Sequence, residues 1–325
     1  MKILVTGGAG YLGSQLCSIL SENNFKVIIY DNLSAGSIIY NKKITLIKGD
    51  ILHIEKLVSV IKKYQPEIII HLAGKAHVKE SYLKKNYYYL NNLIGTINVL
   101  QAMAVTNVKK IIFSSSCLVY GASQTDVSEE ATTIKPISPY AKFKLRAENK
   151  IKKFSKKHNI SYVILRFFNL AGADLKRKVG FSGKSEDRII PNSIKTAIGL
   201  NNFFYVNGKN FNTFDGTCIR DFVHPIDVSL AIVKIIKIIS SRKLGKIYNI
   251  GTNKGYSVLD ILRRTKKITN KEINFKILPR RKGDPAQLVA NSDKIISDLK
   301  WKPKFSNINN IIKTSYEWIK KKNKL

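Results

Sequence analysis

Apolar residues fall into short blocks separated by longer amphipathic stretches. The blocks are Lys2–Thr6, Lys26–Tyr30, Ile44–Lys48, Glu67–His71, Lys110–Ser114 and Ser161–Arg166, each read as a strand. Between them, Leu12, Leu16, Ile19 and Leu20 recur at helical spacing, and Ile54–Lys63, Asn86–Val105 and Tyr140–Lys157 carry the same period. Strands alternating with helices predict an α/β, doubly wound parallel sheet covered on both faces. Chemistry in such a sheet sits at the carboxyl ends of the strands, where Asp31, Asp50, Ala73, Ser116 and Asn169 fall. After about residue 170 the pattern loosens into loops rich in Gly, Asn and Lys. The expected organisation is a domain over 1–170, with a segment returning to it at about 221–251. The remainder of 171–325 forms a smaller, mixed α/β domain.

Composition narrows the class. A chain of 325 residues, 44% hydrophobic, can bury a full core. Met1 leads straight into the first strand, so no secretory leader is expected. The longest apolar stretch, Ala231–Ile239, is interrupted by lysines at helical spacing and does not read as a membrane span. Three cysteines, Cys17, Cys117 and Cys218, form no metal-binding spacing, which favours a reducing, cytoplasmic setting without a metal. A formal net charge of +34 invites a nucleic-acid reading. Yet 46 of the 56 basic residues are lysine, spread along the whole chain with few aromatics among them. Arginine is the usual residue for base readout, so specific nucleic-acid recognition is not expected. Weak, salt-sensitive binding remains compatible with the charge.

The first strand runs into Gly7-Gly-Ala-Gly10-Tyr-Leu-Gly13 and then a helical pattern. Gly7 suits the tight turn, Gly10 lets backbone amides approach a pyrophosphate, and Gly13 permits close helix–strand packing. The second strand ends at Asp31. A carboxylate there accepts from an adenosine ribose and repels a 2′-phosphate, favouring NAD over NADP.

In Ser138-Pro-Tyr140-Ala-Lys-Phe-Lys144, a phenol and an ammonium lie one helical turn apart. The ammonium favours phenolate, so Tyr140 could act as a base near neutral pH. Moving a phenol from about 10 to about 7 needs about 4 kcal/mol, within reach of one desolvated Lys and a second cation. On its own the pair is equally a solvated helix face. Ser116, at a strand end, could hydrogen-bond a substrate oxygen while Tyr140 handles the proton.

These motifs together resemble the extended short-chain dehydrogenase/reductase family, and within it the sugar-nucleotide 4-epimerase branch. Further stretches carry the likeness: Asp31-Asn-Leu-Ser34, Phe113-Ser-Ser-Ser-Cys-Leu-Val-Tyr-Gly121 and Leu165-Arg-Phe-Phe-Asn169. Phe214-Asp-Gly-Thr-Cys-Ile-Arg-Asp-Phe-Val-His224 and Arg280-Arg-Lys-Gly-Asp-Pro285 complete it over essentially the whole length. The resemblance implies an isomerase with NAD as cofactor, interconverting UDP-galactose and UDP-glucose through a 4-keto intermediate, and a homodimer. It implies that Tyr11, Leu12, Asp31, Asn32, Leu33, Ser34, Ala35, Gly36, Asp50 and Ile51 line NAD. Leu72, Ala73, Gly74, Lys75, Ala76, Asn91, Lys144 and Phe168 join them. Ser116 and Tyr140 would face the sugar, and Asn169, Arg220, Arg281 and Asp284 would hold the UDP. Two guanidiniums suit a diphosphate, being planar bidentate donors.

Other readings share this fold. Sugar-nucleotide 4,6-dehydratases resemble one another in an acidic residue just after the Ser/Thr, where this chain has Cys117 and Leu118. A nucleotide- or nucleic-acid-binding scaffold on a degenerate dehydrogenase fold predicts no turnover even with NAD bound, and the intact Ser116, Tyr140 and Lys144 argue against it. Several positions depart from the family pattern. Ala76 stands where many epimerases have Lys, and Leu118 where Thr is common. Arg188 stands where Asn or His is usual and would add a phosphate contact or be solvated. Leu288 stands where some relatives have a bulkier aromatic that closes the pocket near the sugar's 2-substituent; a leucine is intermediate in size, and entry of N-acetylated UDP-hexoses is left open by it.

Overall fold

The structure, a computed structural model, describes residues 1–34, 43–121, 132–176, 178–181, 188–281 and 283–324. In chain order the elements are β1 (Lys2–Thr6), α1 (Tyr11–Glu22), β2 (Lys26–Asp31), β3 (Ile44–Lys48), α2 (Ile54–Tyr64) and β4 (Ile68–His71). Next come α3 (Val78–Leu83), α4 (Lys85–Tyr89), α5 (Gly95–Thr106), β5 (Lys110–Ser116), α6 (Pro139–His158) and β6 (Ser161–Phe167). There follow β7 (Asn169–Leu170), α7 (Ile189–Ala197), β8 (Phe204–Asn207), β9 (Ile219–Val223), α8 (Pro225–Ser241) and β10 (Gly245–Ile250). The last are β11 (Gly255–Ser257), α9 (Val258–Thr269), β12 (Phe275–Leu278), β13 (Gln287–Leu288), α10 (Asp293–Leu299) and α11 (Ile308–Lys322). Two units divide them: Met1–Val119, Pro136–Arg166 and Ser229–Tyr248 form the first, and the remaining residues the second.

In the first unit a seven-stranded sheet has the order β10-β6-β5-β4-β1-β2-β3, a Rossmann-like doubly wound sheet. β1 pairs in parallel with both β2 and β4, so the chain winds outward in opposite directions from the β1/β4 boundary. Ligands bind at such switch points, beyond the carboxyl ends of the strands. β1, β2 and β4 are buried almost end to end, as strands covered on both faces must be. Leu4, Ile28, Leu57, Ile69, Val99, Leu100, Ile111 and Ile164 belong to one continuous core.

One element departs from its sequence pattern. The stretch expected as a single helix over Asn86–Val105 is α4 and α5 joined by a π-helical turn, Leu90–Ile94. The wider turn lets two consecutive side chains, Asn91 and Asn92, both be buried. π turns of this kind concentrate at functional sites.

The second unit is mixed. β11, β9 and β13 form a sheet in which β11 is antiparallel and β13 parallel to β9, and β7 pairs with β9. β8 and β12 pair separately. Its cores gather Ile190, Ile194, Ile261, Ile308 and Ile312 on one side and Phe204, Val206, Phe211 and Leu262 on the other.

Candidate active site

The glycine turn is shaped by close approach. Gly7 has φ of +73°, and a Cβ there would lie 2.5 Å from the backbone nitrogen of Ala73, in the loop after β4. At Gly13 a Cβ would come within 2.2 Å of the Gly7 carbonyl oxygen, so α1 can start only with glycine there. The turn closes with Gly10 N donating to Gly7 O at 3.1 Å and Ser14 N to Gly10 O at 2.8 Å. α1 has no side-chain cap and no acidic residue in its first turn. Its amino end therefore suits an anion such as a pyrophosphate.

Asp31 ends β2 with its carboxylate braced on both sides. Oδ2 accepts from Ala9 N at 3.0 Å, inside the glycine turn, and Oδ1 from Leu33 N at 2.7 Å. Asp50 accepts from Asn32 Nδ2 at 2.8 Å and from Leu52 N at 2.9 Å. Lys75 Nζ donates to Ser34 Oγ at 3.0 Å. Thus Asp31, Asn32, Leu33, Ser34, Asp50 and Ile51 gather beside the turn that holds Tyr11 and Leu12. Leu72, Ala73, Gly74, Lys75 and Ala76 come next to it, with Leu72 N donating to Thr6 O at 2.9 Å. Ala35 and Gly36 lie outside the described residues.

Asn91 is buried and donates to Tyr87 O at 2.9 Å. Its neighbour Asn92, which sequence reading passed over, clamps the post-β4 loop. Asn92 Oδ1 accepts from Lys75 N at 2.9 Å and Nδ2 donates to Lys75 O at 3.1 Å. Only the π turn, invisible in the hydrophobic period, would have signalled it.

The three residues expected to handle the proton stand on α6 and β5. Ser138 caps α6 by accepting from Ala141 N at 3.2 Å, and Pro139 occupies the first turn, where a missing N–H costs nothing. That start places Tyr140 in the first turn and Lys144 one turn on. Lys144 is 4% exposed. Its Nζ donates to Ser114 O at 2.8 Å and lies 4.9 Å from the centre of the Phe113 ring. A Cβ at Gly74 would stand 3.5 Å from that Nζ, so the ammonium sits beside the loop after β4. Burial pushes the Lys144 amine down to about 8, against the opposing pull of the Glu148 carboxylate. His71, bridged between Thr6 Oγ1 at 2.7 Å and Thr96 Oγ1 at 3.0 Å, is held neutral by burial and then by the Lys144 charge. Tyr140 is buried and meets Tyr88 edge-on at 6.4 Å. Ser116 Oγ accepts from Leu118 N at 3.2 Å. That bond occupies a lone pair and leaves the hydroxyl hydrogen for a substrate oxygen.

In the second unit, three predicted polar residues come together. Arg220 Nη2 donates to Asp284 Oδ1 at 3.0 Å, and Asp284 N to Arg281 O at 3.2 Å. Asn169 lies on β7, paired with Phe222 of the strand that carries Arg220. Leu288 is buried opposite Arg220 in the β13–β9 register. Arg188 is half-buried: Nη1 donates to Leu170 O at 3.1 Å, and the guanidinium carbon lies 4.4 Å from the centre of the Phe181 ring. Phe168, expected to touch the cofactor, is buried and donates its N–H to Ile250 O at 3.1 Å. Asp221, beside Arg220, is a second residue the sequence reading did not single out. It accepts from Thr252 N, Asn253 N and Ala290 N, while burial raises its carboxyl to about 6 despite those bonds.

Residues 3–251 match the model of the NAD dependent epimerase/dehydratase family. The chain belongs to this family. Among its relatives is the UDP-glucose 4-epimerase of Rhizobium meliloti (strain 1021), 34% identical over 99% of this chain and 98% of that protein. A putative UDP-arabinose 4-epimerase 4 from Arabidopsis thaliana is 37% identical over 98% of this chain and 76% of that one. The crystal structure of a Bifidobacterium longum UDP-glucose 4-epimerase in complex with NAD+ and UDP superposes with a TM-score of 0.94. It is 33% identical and covers 100% of this chain and 99% of its own. The seven-stranded sheet and the smaller mixed sheet described above match the fold of that epimerase structure. Among the described residues no helix is long and apolar enough to cross a membrane, and no cluster of His, Cys, Asp or Glu suits a metal ion.

Proposed function

We propose that this chain is an NAD-dependent epimerase acting at carbon 4 of a UDP-hexose, interconverting UDP-galactose and UDP-glucose. The observation that carries this reading is the Tyr140–Lys144 pair, with Lys144 buried against the loop that the glycine turn packs on.

The first unit is the NAD-binding domain in this reading. The cradle fits the cofactor: glycines where a Cβ would collide, an uncapped helix end for the pyrophosphate, and the Asp31 carboxylate for the adenosine ribose. Gly7, Gly10, Tyr11, Leu12, Gly13, Asp31 to Ser34, Asp50, Ile51, Leu72 to Ala76, Asn91 and Phe168 would hold it. When bound, NAD supplies reversible hydride acceptance at carbon 4.

Tyr140 takes the proton of the sugar 4-hydroxyl as the 4-keto sugar forms, and returns it when the other epimer is made. The Lys144 ammonium favours the phenolate form that this requires. Ser116, with its oxygen already accepting from Leu118 N, donates to the sugar oxygen and steadies it. Arg220 and Arg281 hold the diphosphate, while Asp284 orients Arg220 and Asn169 contributes a polar contact. A firm hold on UDP and a loose one on the hexose let the keto sugar present its other face. Neither Cys117 nor Leu118 supplies the carboxylate that elimination would need. As a functional unit we assign a homodimer, with the helical region from Asn86 to Val105 and α6 as the contact. The test is epimerisation of UDP-galactose by the purified protein, with Tyr140→Phe as the control.

A further inference from the structure

α6 carries a third polar residue on the face of Tyr140 and Lys144. Glu148 is fully buried, and so is its partner Arg166. Glu148 Oε1 accepts from Ser115 Oγ at 2.5 Å and from Arg166 Nε at 3.1 Å; Oε2 accepts from Arg166 Nη2 at 2.7 Å. Well-packed apolar residues often do as well as a buried ion pair for stability alone, so its presence here calls for another explanation.

The bonds to β5 supply one. Lys144 Nζ donates to the carbonyl of Ser114, and Glu148, one turn later, accepts from the hydroxyl of Ser115. Two successive helical turns thus grip two successive strand residues, and the next residue of that strand is Ser116. A slide of α6 along β5 would break both bonds and separate Tyr140 from Ser116. We infer that Glu148 is a positioning residue of the reaction, locking the helix that carries Tyr140 and Lys144 onto the strand that carries Ser116. The inference rests on the proposed epimerase reading.

Charge adds to geometry. The groups facing Lys144 are His71 on β4, the Ser114 carbonyl and Phe113 ring on β5, and Tyr140 and Glu148 on its own helix. Arg166 on β6 is bound to Glu148. Beyond Tyr140 stand Tyr88 and Glu80, hydrogen-bonded to each other at 2.9 Å. Of these groups only Glu148 acts to raise the Lys144 amine. Without it the ammonium would give up its proton at lower pH, and Tyr140 would lose its cation near neutrality.

The test reads Lys144 directly. Protein labelled with carbon-13 at the lysine ε-carbon is titrated by NMR, with the Lys144 signal assigned by its loss in Lys144→Met. Glu148→Gln should lower the Lys144 midpoint by about one pH unit. It should lower the alkaline limb of the rate profile by the same amount and reduce kcat by about tenfold, with KM within about twofold. Glu148→Asp should restore the midpoint. An unmoved or raised midpoint in Glu148→Gln overturns the inference, even if kcat falls. Should Arg166, left alone, prevent folding, Glu148→Gln combined with Arg166→Gln removes both charges, so the midpoint should move little while kcat still falls about tenfold, and an unchanged kcat overturns the inference. The NMR midpoint needs no turnover, so a wild type without epimerase activity would overturn the functional reading separately.

Discussion

Replacing Lys144 by methionine should cost activity and yet relieve a penalty in the fold. Lys144 is 4% exposed, its Nζ donates to Ser114 O at 2.8 Å, and burial pushes its amine from the ordinary 10.5 down to about 8. The folded chain therefore releases this proton near pH 8, the unfolded chain only near 10.5. Between those values the unfolded state holds more protons, so wild-type stability rises with pH across the window. At about 1.4 kcal/mol per pH unit, the interval is worth about 3 kcal/mol, fully present as a penalty below pH 8. Methionine fills similar volume without a charge. Its stability relative to wild type should be more favourable at pH 7 than at pH 10.5 by about 3 kcal/mol. Urea denaturation of the cofactor-free proteins at the two pH values measures this difference, with Tyr140→Phe in both backgrounds so that the coupled titration of the phenol drops out. Epimerase turnover in the variant should fall about 100-fold or more. A stability difference that is the same at both pH values would refute the reasoning, because Lys144 would then not be a buried, proton-releasing ammonium.

Asn92→Ala releases the backbone of Lys75 and should weaken NAD retention about tenfold, for two lost hydrogen bonds. NAD content after dialysis measures it, and unchanged content counts against the clamp. Arg220→Lys keeps the charge but loses the fork that reaches Asp284, so KM for UDP-galactose should rise about tenfold with kcat nearly unchanged. A fall in kcat at constant KM would place Arg220 at the chemistry instead. With Leu288 rather than an aromatic at its position, UDP-N-acetylgalactosamine should be epimerised at a rate comparable to UDP-galactose. No turnover of the N-acetyl sugar would end that expectation.

Local signals carried much of this site into the sequence. Gly7, Gly13 and Asp31 stand within one strand–turn–helix–strand unit; Gly13 and Asp31 are explained by contacts inside or beside that unit, and Gly7 by its positive φ and the approach of Ala73 after β4. Ser138, Pro139, Tyr140 and Lys144 likewise start one helix, with the cap and the pair in a single turn or two. What escaped depends on contacts between distant residues. Glu148 meets Arg166 on another strand and Ser115 on a third element, a partnership no period or spacing records. Asn92 escaped for a different reason: the apolar pattern of Asn86–Val105 is the same for a continuous helix as for one with a π turn. Asp221 sat within a quoted motif, but its role as acceptor for residues 252, 253 and 290 appears only when β9 meets those loops.

The central claim is that Tyr140 moves a proton on a UDP-hexose that leaves neither oxidised nor reduced. Purified protein is mixed with UDP-galactose, without added NAD, and UDP-glucose is measured alongside the cofactor each sample retains. The wild type should convert UDP-galactose to an equilibrium mixture. Tyr140→Phe should lose most of that activity with its NAD content unchanged. Full activity in Tyr140→Phe would contradict the claim.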